Sequence, residues 1–225
     1  MEEPGNQEKA YVYKESLKKS GPHTFDKLKF VDVYLNRPIA ALMVKVVYNT
    51  RITPNGLTYF SFFLGMIGAF IISRGTHIHL IIGGVMVQLS SIIDGADGML
   101  ARSKGMCSDF GAHLDLFFDR VMDFSTIVGL AFGGKIYFKS ETVLVIGLVT
   151  AGLYLLQTNL FYLTKRYLQS KESGETGEVR AIMFLGIMLF CISTRIDILI
   201  YLGFALTIIN NTARLIYFIN LGRKK

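Results

Sequence analysis

Residues 92–124 read IIDGADGMLARSKGMCSDFGAHLDLFFDRVMDF, and this stretch decides how the chain folds. Asp94, Asp97, Arg102, Asp115, Asp119, Arg120 and Asp123 fall in two segments that are otherwise apolar enough to be membrane helices. An ionisable side chain inside a bilayer costs about 2.5–3.5 kcal/mol even on a lenient insertion scale, so several together need a purpose. Asp94 and Asp97 are three apart, and Gly98 and Ala101 continue the same helical face. Gly111, Asp115 and Asp119 recur at four-residue steps on the next segment. Two carboxylates from each of two facing helices then converge on one point. Like charges in a low dielectric require a cation, and carboxylate oxygens are the preferred ligands of hard divalent metals. Gly98, Ala101 and Gly111 leave room for a large ligand, and Arg102 at the helix end suits a phosphate. The stretch therefore predicts a phosphate-containing substrate held through metal.

The surrounding chain fits that frame. Its 225 residues are 51% hydrophobic and only 18% charged, greasier than an ordinary soluble domain. Mean hydropathy is +0.41, and it collects in blocks near the ~20 residues a bilayer-spanning helix needs. The expected fold is an all-α integral membrane protein with six transmembrane helices at about 54–73, 77–101, 110–133, 142–163, 181–193 and 196–221. Thr53-Pro54 supplies an N-cap and a first-turn proline for the first of these. Residues 170–178 form one polar loop. Ahead of the spans, residues 26–50 mix charged and apolar side chains as an interfacial amphipathic helix interrupted near Pro38. Residues 1–25 are polar and expected to be poorly ordered, with no apolar run to act as a signal peptide, so residues 51–225 form the membrane domain.

The net charge of +7 raises nucleic acid as a partner, but no basic stripe is interleaved with exposed aromatics. Some 18 Lys and Arg residues lie on the side of the termini, against Arg74, Lys135, Lys139 and Arg195 on the other. That asymmetry predicts a multi-pass protein with both termini and the acidic site facing the cytoplasm, beside an anionic bilayer, with nucleic acid excluded. Cys107 and Cys191 have no metal-ligand or disulfide spacing and read as inert thiols.

Asp94, Asp97, Gly98, Ala101, Arg102, Gly111, Asp115 and Asp119 match every fixed position and spacer of the pattern D-x2-D-G-x2-A-R-x8-G-x3-D-x3-D. The chain thus resembles the CDP-alcohol phosphotransferases, and DGADGMLAR...FGAHLDLFFDR looks nearest their inositol and inositol-phosphate branch. The resemblance implies transfer of a phosphatidyl or phospho-alcohol group from a CDP-linked donor, CDP-diacylglycerol favoured, to a hydroxyl acceptor with release of CMP. It implies that Asp94, Asp97 and Asp115 ligate Mg2+ or Mn2+, two ions in all. Asp119 would join the metal site and act as general base, while Asp94, Gly98, Ala101, Arg102 and Gly111 line the CDP pocket. Family members are generally homodimers. Basic residues near the polar loop serve phosphorylated acceptors in some of them, which singles out Lys165, Arg166 and Arg180.

Other readings remain beside these. The motif also serves transfer of phosphocholine or phosphoethanolamine from a CDP donor to diacylglycerol. A membrane cation transporter would explain the carboxylates, but not Gly98, Gly111 and Arg102 at fixed offsets. An EF-hand fails on spacing. Lys165, Arg166 and Arg180 also satisfy the positive-inside rule with no further role. Arg120 and Asp123 read equally as a helix-to-helix ion pair or as functional. Asn55 reads first as part of a helix start. Gly129 and Gly133 could seat a dimer partner or pack within the bundle.

Overall fold

In the computed structural model the described residues are 32–168 and 176–222, without the side chains of 33, 165–168, 176–179, 221 and 222. Every element among the described residues is a helix. A π-turn, Asp32–Asn36, leads into α1, Arg37–Val47; α2 is Pro54–Ile72, α3 His77–Lys104, α4 Asp109–Phe138, α5 Glu141–Leu168, α6 Thr176–Ile192 and α7 Ile196–Gly222. Five of these are long and apolar enough to cross a membrane, and Arg180–Ile192 is a shorter apolar helix. The polar terminus expected at 1–25 and the first part of the interfacial helix expected at 26–50 lie outside the described residues. The polar loop is shorter than expected at its far end: α6 already begins at Thr176, so Thr176, Gly177 and Glu178 form its first turn.

The boundaries have local causes. Thr53 accepts the Gly56 N–H at 3.2 Å, and Ser108 accepts that of Gly111 at 3.1 Å, so α2 and α4 both start on side-chain caps. Pro38 falls in the first turn of α1, where its missing N–H is no loss. α3 ends because Gly105 takes a left-handed φ of 65°, which glycine adopts without strain. Lys104 then donates to the Thr50 and Ile52 carbonyls at 3.0 and 2.9 Å, pinning the α1–α2 connection to the end of α3.

Packing turns α3 so that its acids face inward, away from α1. Its buried residues Ile92, Ile93, Ala96, Met99 and Leu100 form one apolar cluster with Leu57 of α2 and Ala40, Ala41 and Val44 of α1. Asp94, Asp97, Gly98 and Ala101 lie between these positions and look the other way. α2 packs against both α3 and α4, while those two share few contacts. The close approach of α2 and α4 needs glycine. A side chain at Gly129 would meet the Ala69 carbonyl, and one at Gly133 the Ile72 carbonyl. Both glycines are buried. The small-residue pair thus packs inside the bundle, settling a choice the sequence left open.

Candidate active site

α3 contributes Asp94 and Asp97, α4 contributes Asp115, and one carboxylate oxygen from each lies within 4.8 Å of the others. Asp97 is held in place by Thr58 of α2, whose hydroxyl donates to its Oδ2. Asp115 Oδ1 is buried with no hydrogen-bond partner. Such an atom is costly unless something satisfies it. Among the described residues, the cation of this trio is Arg180 at 3.4 Å from Asp94. Three oxygens at this separation, one orphaned, fit a hard divalent cation.

Asp119 stands one turn further along α4 and lies outside the trio. Its Oδ1 is 2.5 Å from Nη1 of Arg180, a residue at the start of the apolar part of α6. Arg180 is only 8% exposed. Its Nε donates to Asp123 at 3.1 Å, and its guanidinium lies over the Phe184 ring at 5.3 Å. Nη2 is buried and has no partner. Asp123, almost wholly buried, also accepts from the Tyr154 hydroxyl of α5. Arg120 donates to that hydroxyl at 2.9 Å and stands 3.7 Å from Asp123.

The remaining sequence-predicted residues form the rim. A side chain at Gly98 would come within 3.3 Å of the Arg102 guanidinium, so Arg102 folds back along α3 over the glycine. Ala101 is half-buried on the same face. A side chain at Gly111 would sit 3.2 Å from Asn55 Oδ1, which brings the start of α2 to the start of α4. The structure therefore gathers Asp94, Asp97, Asp115, Asp119 and Arg180, with Gly98, Ala101, Arg102 and Gly111 at the edge. The side chains of Lys165 and Arg166 lie outside the described residues.

Sequence reasoning passed over Thr58 and Tyr154 and left Asp123 unassigned. Asp123 carried a usable signal, since it extends the four-residue stride of Asp115 and Asp119. Thr58 and Tyr154 carried none, because each meets its carboxylate from a different helix, 39 and 31 residues away.

A profile of the CDP-alcohol phosphatidyltransferase family matches residues 51–209 of the chain. The chain is similar to the bifunctional IPC transferase and DIPP synthase of Thermococcus kodakarensis, 38% identical over 103 residues, which are 46% of this chain and 23% of that protein. It is similar to the archaetidylinositol phosphate synthase of Pyrococcus horikoshii, 31% identical over 103 residues, 46% of this chain and 53% of that one. The chain thus spans about a quarter to a half of the length of these curated relatives. Its fold is that of the phosphatidylinositol phosphate synthase of Mycobacterium tuberculosis. The crystal structure with manganese and citrate gives a TM-score of 0.61 at 21% identity, covering 80% of this chain and 87% of that one. The structure with CDP-DAG bound gives 0.57 at 22%, covering 80% and 92%.

Proposed function

The chain belongs to the CDP-alcohol phosphatidyltransferase family, and from that premise we propose that it transfers a phosphatidyl group from CDP-diacylglycerol to a hydroxyl of a phosphorylated polyol, inositol phosphate foremost, releasing CMP. One observation carries this reading: Asp119 lies against Arg180 at 2.5 Å, beside the three converging carboxylates. An acceptor whose phosphate is drawn to Arg180 therefore arrives with its hydroxyl next to a carboxylate.

Asp94, Asp97 and Asp115 would hold Mg2+ or Mn2+, with Asp119 joining when a second ion binds. Metal so held supplies positive charge against the donor's diphosphate oxygens. Arg102, folded over Gly98, adds a guanidinium at the rim for the same diphosphate. Gly98, Ala101 and Gly111 keep that wall free of side chains, so the cytidine end can lie against backbone. Asp119 accepts the proton of the acceptor hydroxyl. The freed oxygen bonds to the lipid-bearing phosphorus, and the bond from that phosphorus to CMP breaks. Arg180 holds the acceptor's phosphate, and Lys165 and Arg166 are assigned to the same phosphate.

The test is CMP release by purified protein in lipid nanodiscs with Mg2+. CDP-diacylglycerol is offered with inositol, inositol phosphate, glycerol phosphate or serine, and CDP-choline and CDP-ethanolamine with diacylglycerol. Metal-dependent release is expected with CDP-diacylglycerol and inositol phosphate. Release with none of the pairs, from protein shown to be folded, overturns the proposal.

Thr58 should tune the metal. Thr58→Val removes the hydroxyl that fixes Asp97, and loss of such an orienting partner weakens metal binding by about 10- to 100-fold. Titration with Mn2+, followed by its paramagnetic resonance, measures this; equal affinities in the two proteins would deny Thr58 that role.

In the same reading α6 completes a sixth span, α1 lies in the interface, and the chain works as a homodimer with site and termini on the cytoplasmic side. The excess of Lys and Arg on that side supports the orientation. Cys107 is exposed in the connection after α3, at the site end, and Cys191 is buried. A membrane-impermeant maleimide should label Cys107 in inside-out vesicles and spare it in right-side-out ones. The opposite pattern would reverse the topology.

A further inference from the structure

The proposed transfer gives Arg180 a task but leaves Asp123 and Tyr154 without one. Asp123 is among the most buried polar residues described, 1% exposed. It meets Arg180 at Nε, whereas Asp94 of the trio meets Nη1. Its Oδ1 takes the Arg180 Nε–H at 3.1 Å, and its Oδ2 takes the Tyr154 hydroxyl. Tyr154 is itself fixed by Arg120 at 2.9 Å. Both oxygens of Asp123 are thereby committed, and the chain of contacts ties α4, α5 and α6 together.

A purely structural account stops at that tie. It does not explain the third nitrogen of Arg180. A guanidinium has five donors, and each buried one without a partner is costly; Nε of Arg120 is another such nitrogen. Here Nη2 is enclosed and unpartnered. Nη1 faces Asp119 and Asp94 at 2.5 and 3.4 Å, and the ring of Phe184 lies under the plane. With Nε captured by Asp123 and one face against Phe184, the guanidinium cannot spin. Nη1 already serves the two carboxylates, so Nη2 is the nitrogen left for an anion. A guanidinium N–H is a strong, charge-assisted donor to a phosphate oxygen.

We propose that Asp123 and Tyr154 are positioning residues that lock Arg180 by its Nε so that its unpartnered Nη2 is presented to the phosphate of the acceptor. The idea rests on the transfer proposed above, and it assigns neither residue to the reacting atoms. Tyr154 orients Asp123, Asp123 orients Arg180, and Arg180 receives the phosphate beside Asp119. Freed from this clamp, Arg180 would turn its nitrogens among Asp94, Asp119 and Asp123 and offer Nη2 to the phosphate less often.

Full-length wild-type protein, Tyr154→Phe and Asp123→Asn are compared in nanodiscs with Mg2+. Two readouts are taken: steady-state CMP release against inositol phosphate and against CDP-diacylglycerol, and calorimetric binding of inositol phosphate alone. Tyr154→Phe removes one hydroxyl and keeps the ring, so it guards against a folding failure of Asp123→Asn. Tyr154→Phe is expected to raise KM for inositol phosphate about tenfold, the scale of one hydrogen bond to a charged group. KM for the CDP donor should stay unchanged and kcat should change far less than the acceptor KM. Asp123→Asn should shift the acceptor KM further in the same direction.

An unchanged acceptor KM in Tyr154→Phe overturns the inference and leaves the transfer standing. So does an equal rise in both KM values together with a lower melting temperature, which marks a brace and nothing more. Absence of turnover in the wild type overturns the transfer reading, and binding then decides the clamp. Inositol phosphate bound by wild type and about tenfold more weakly by Tyr154→Phe sustains it, whereas equal binding, or none by either, overturns it.

Discussion

Asp119→Asn is expected to lower metal-dependent CMP release by about a thousandfold, within the range of roughly 10²–10⁴ that a positioned general base contributes. Asparagine has the same shape, and its carbonyl oxygen can still accept the Arg180 Nη1–H that now reaches Asp119 at 2.5 Å. What disappears is the negative charge and the capacity to take a proton. The fold should survive. Arg180 would keep Asp94 at 3.4 Å and Asp123 at 3.1 Å as counter-charges, so no buried cation is stranded. Gel filtration and a thermal melt in detergent check that the protein is intact; the nucleotide assay reads the effect. Activity within tenfold of wild type in a folded mutant would remove Asp119 from the role of base.

Gly129→Val should have the largest structural effect. The new Cβ would press on the Ala69 carbonyl, which is backbone in the last turn of α2 and cannot move by changing a rotamer. Overpacking a side chain costs about 1–3 kcal/mol, and pressure on backbone belongs at or above the top of that range. The only relief is to move α2 away from α4. Since α2 carries Thr58, which anchors Asp97, metal binding should suffer along with stability. We expect little monodisperse protein after extraction and no CMP release from what remains. Gly152→Ala is the control, because a Cβ there meets nothing within 4 Å. Alanine favours the helix by about 0.5–1 kcal/mol over glycine. A Gly129→Val protein that melts like the control would mean that α2 and α4 do not pack as closely as described.

The helices were legible because their signals are local. Apolar runs of sufficient length, with Thr53-Pro54 at one start, placed the long helices to within a few residues. The acids of the motif were legible for a related reason: a carboxylate in an apolar helix stands out against its own neighbours. Nothing local marks which helix will lie opposite, and that is where the sequence ran out. Tyr154 looks like any interfacial tyrosine until it is seen on Asp123. Thr58 looks like a helix-start threonine until it is seen on Asp97. Arg180 stood out for its charge beside the polar loop and was grouped with Lys165 and Arg166. Its ion pairs with Asp94, Asp119 and Asp123 come from residues 86, 61 and 57 positions earlier in the chain, a partnership that no periodicity encodes.

That separation also has a consequence for how the protein is made. Arg180 follows Asp123 by 57 residues, so at roughly 5–20 residues per second a ribosome takes about 3–11 s to deliver it. During that interval α4 is completed after α3, and the four motif aspartates have no α6 guanidinium to face. Until the later helix arrives, the acidic hairpin must draw its counter-charge from water, a bound cation or the insertion machinery. A later helix of this chain therefore supplies the counter-charge that the earlier ones lack as they emerge.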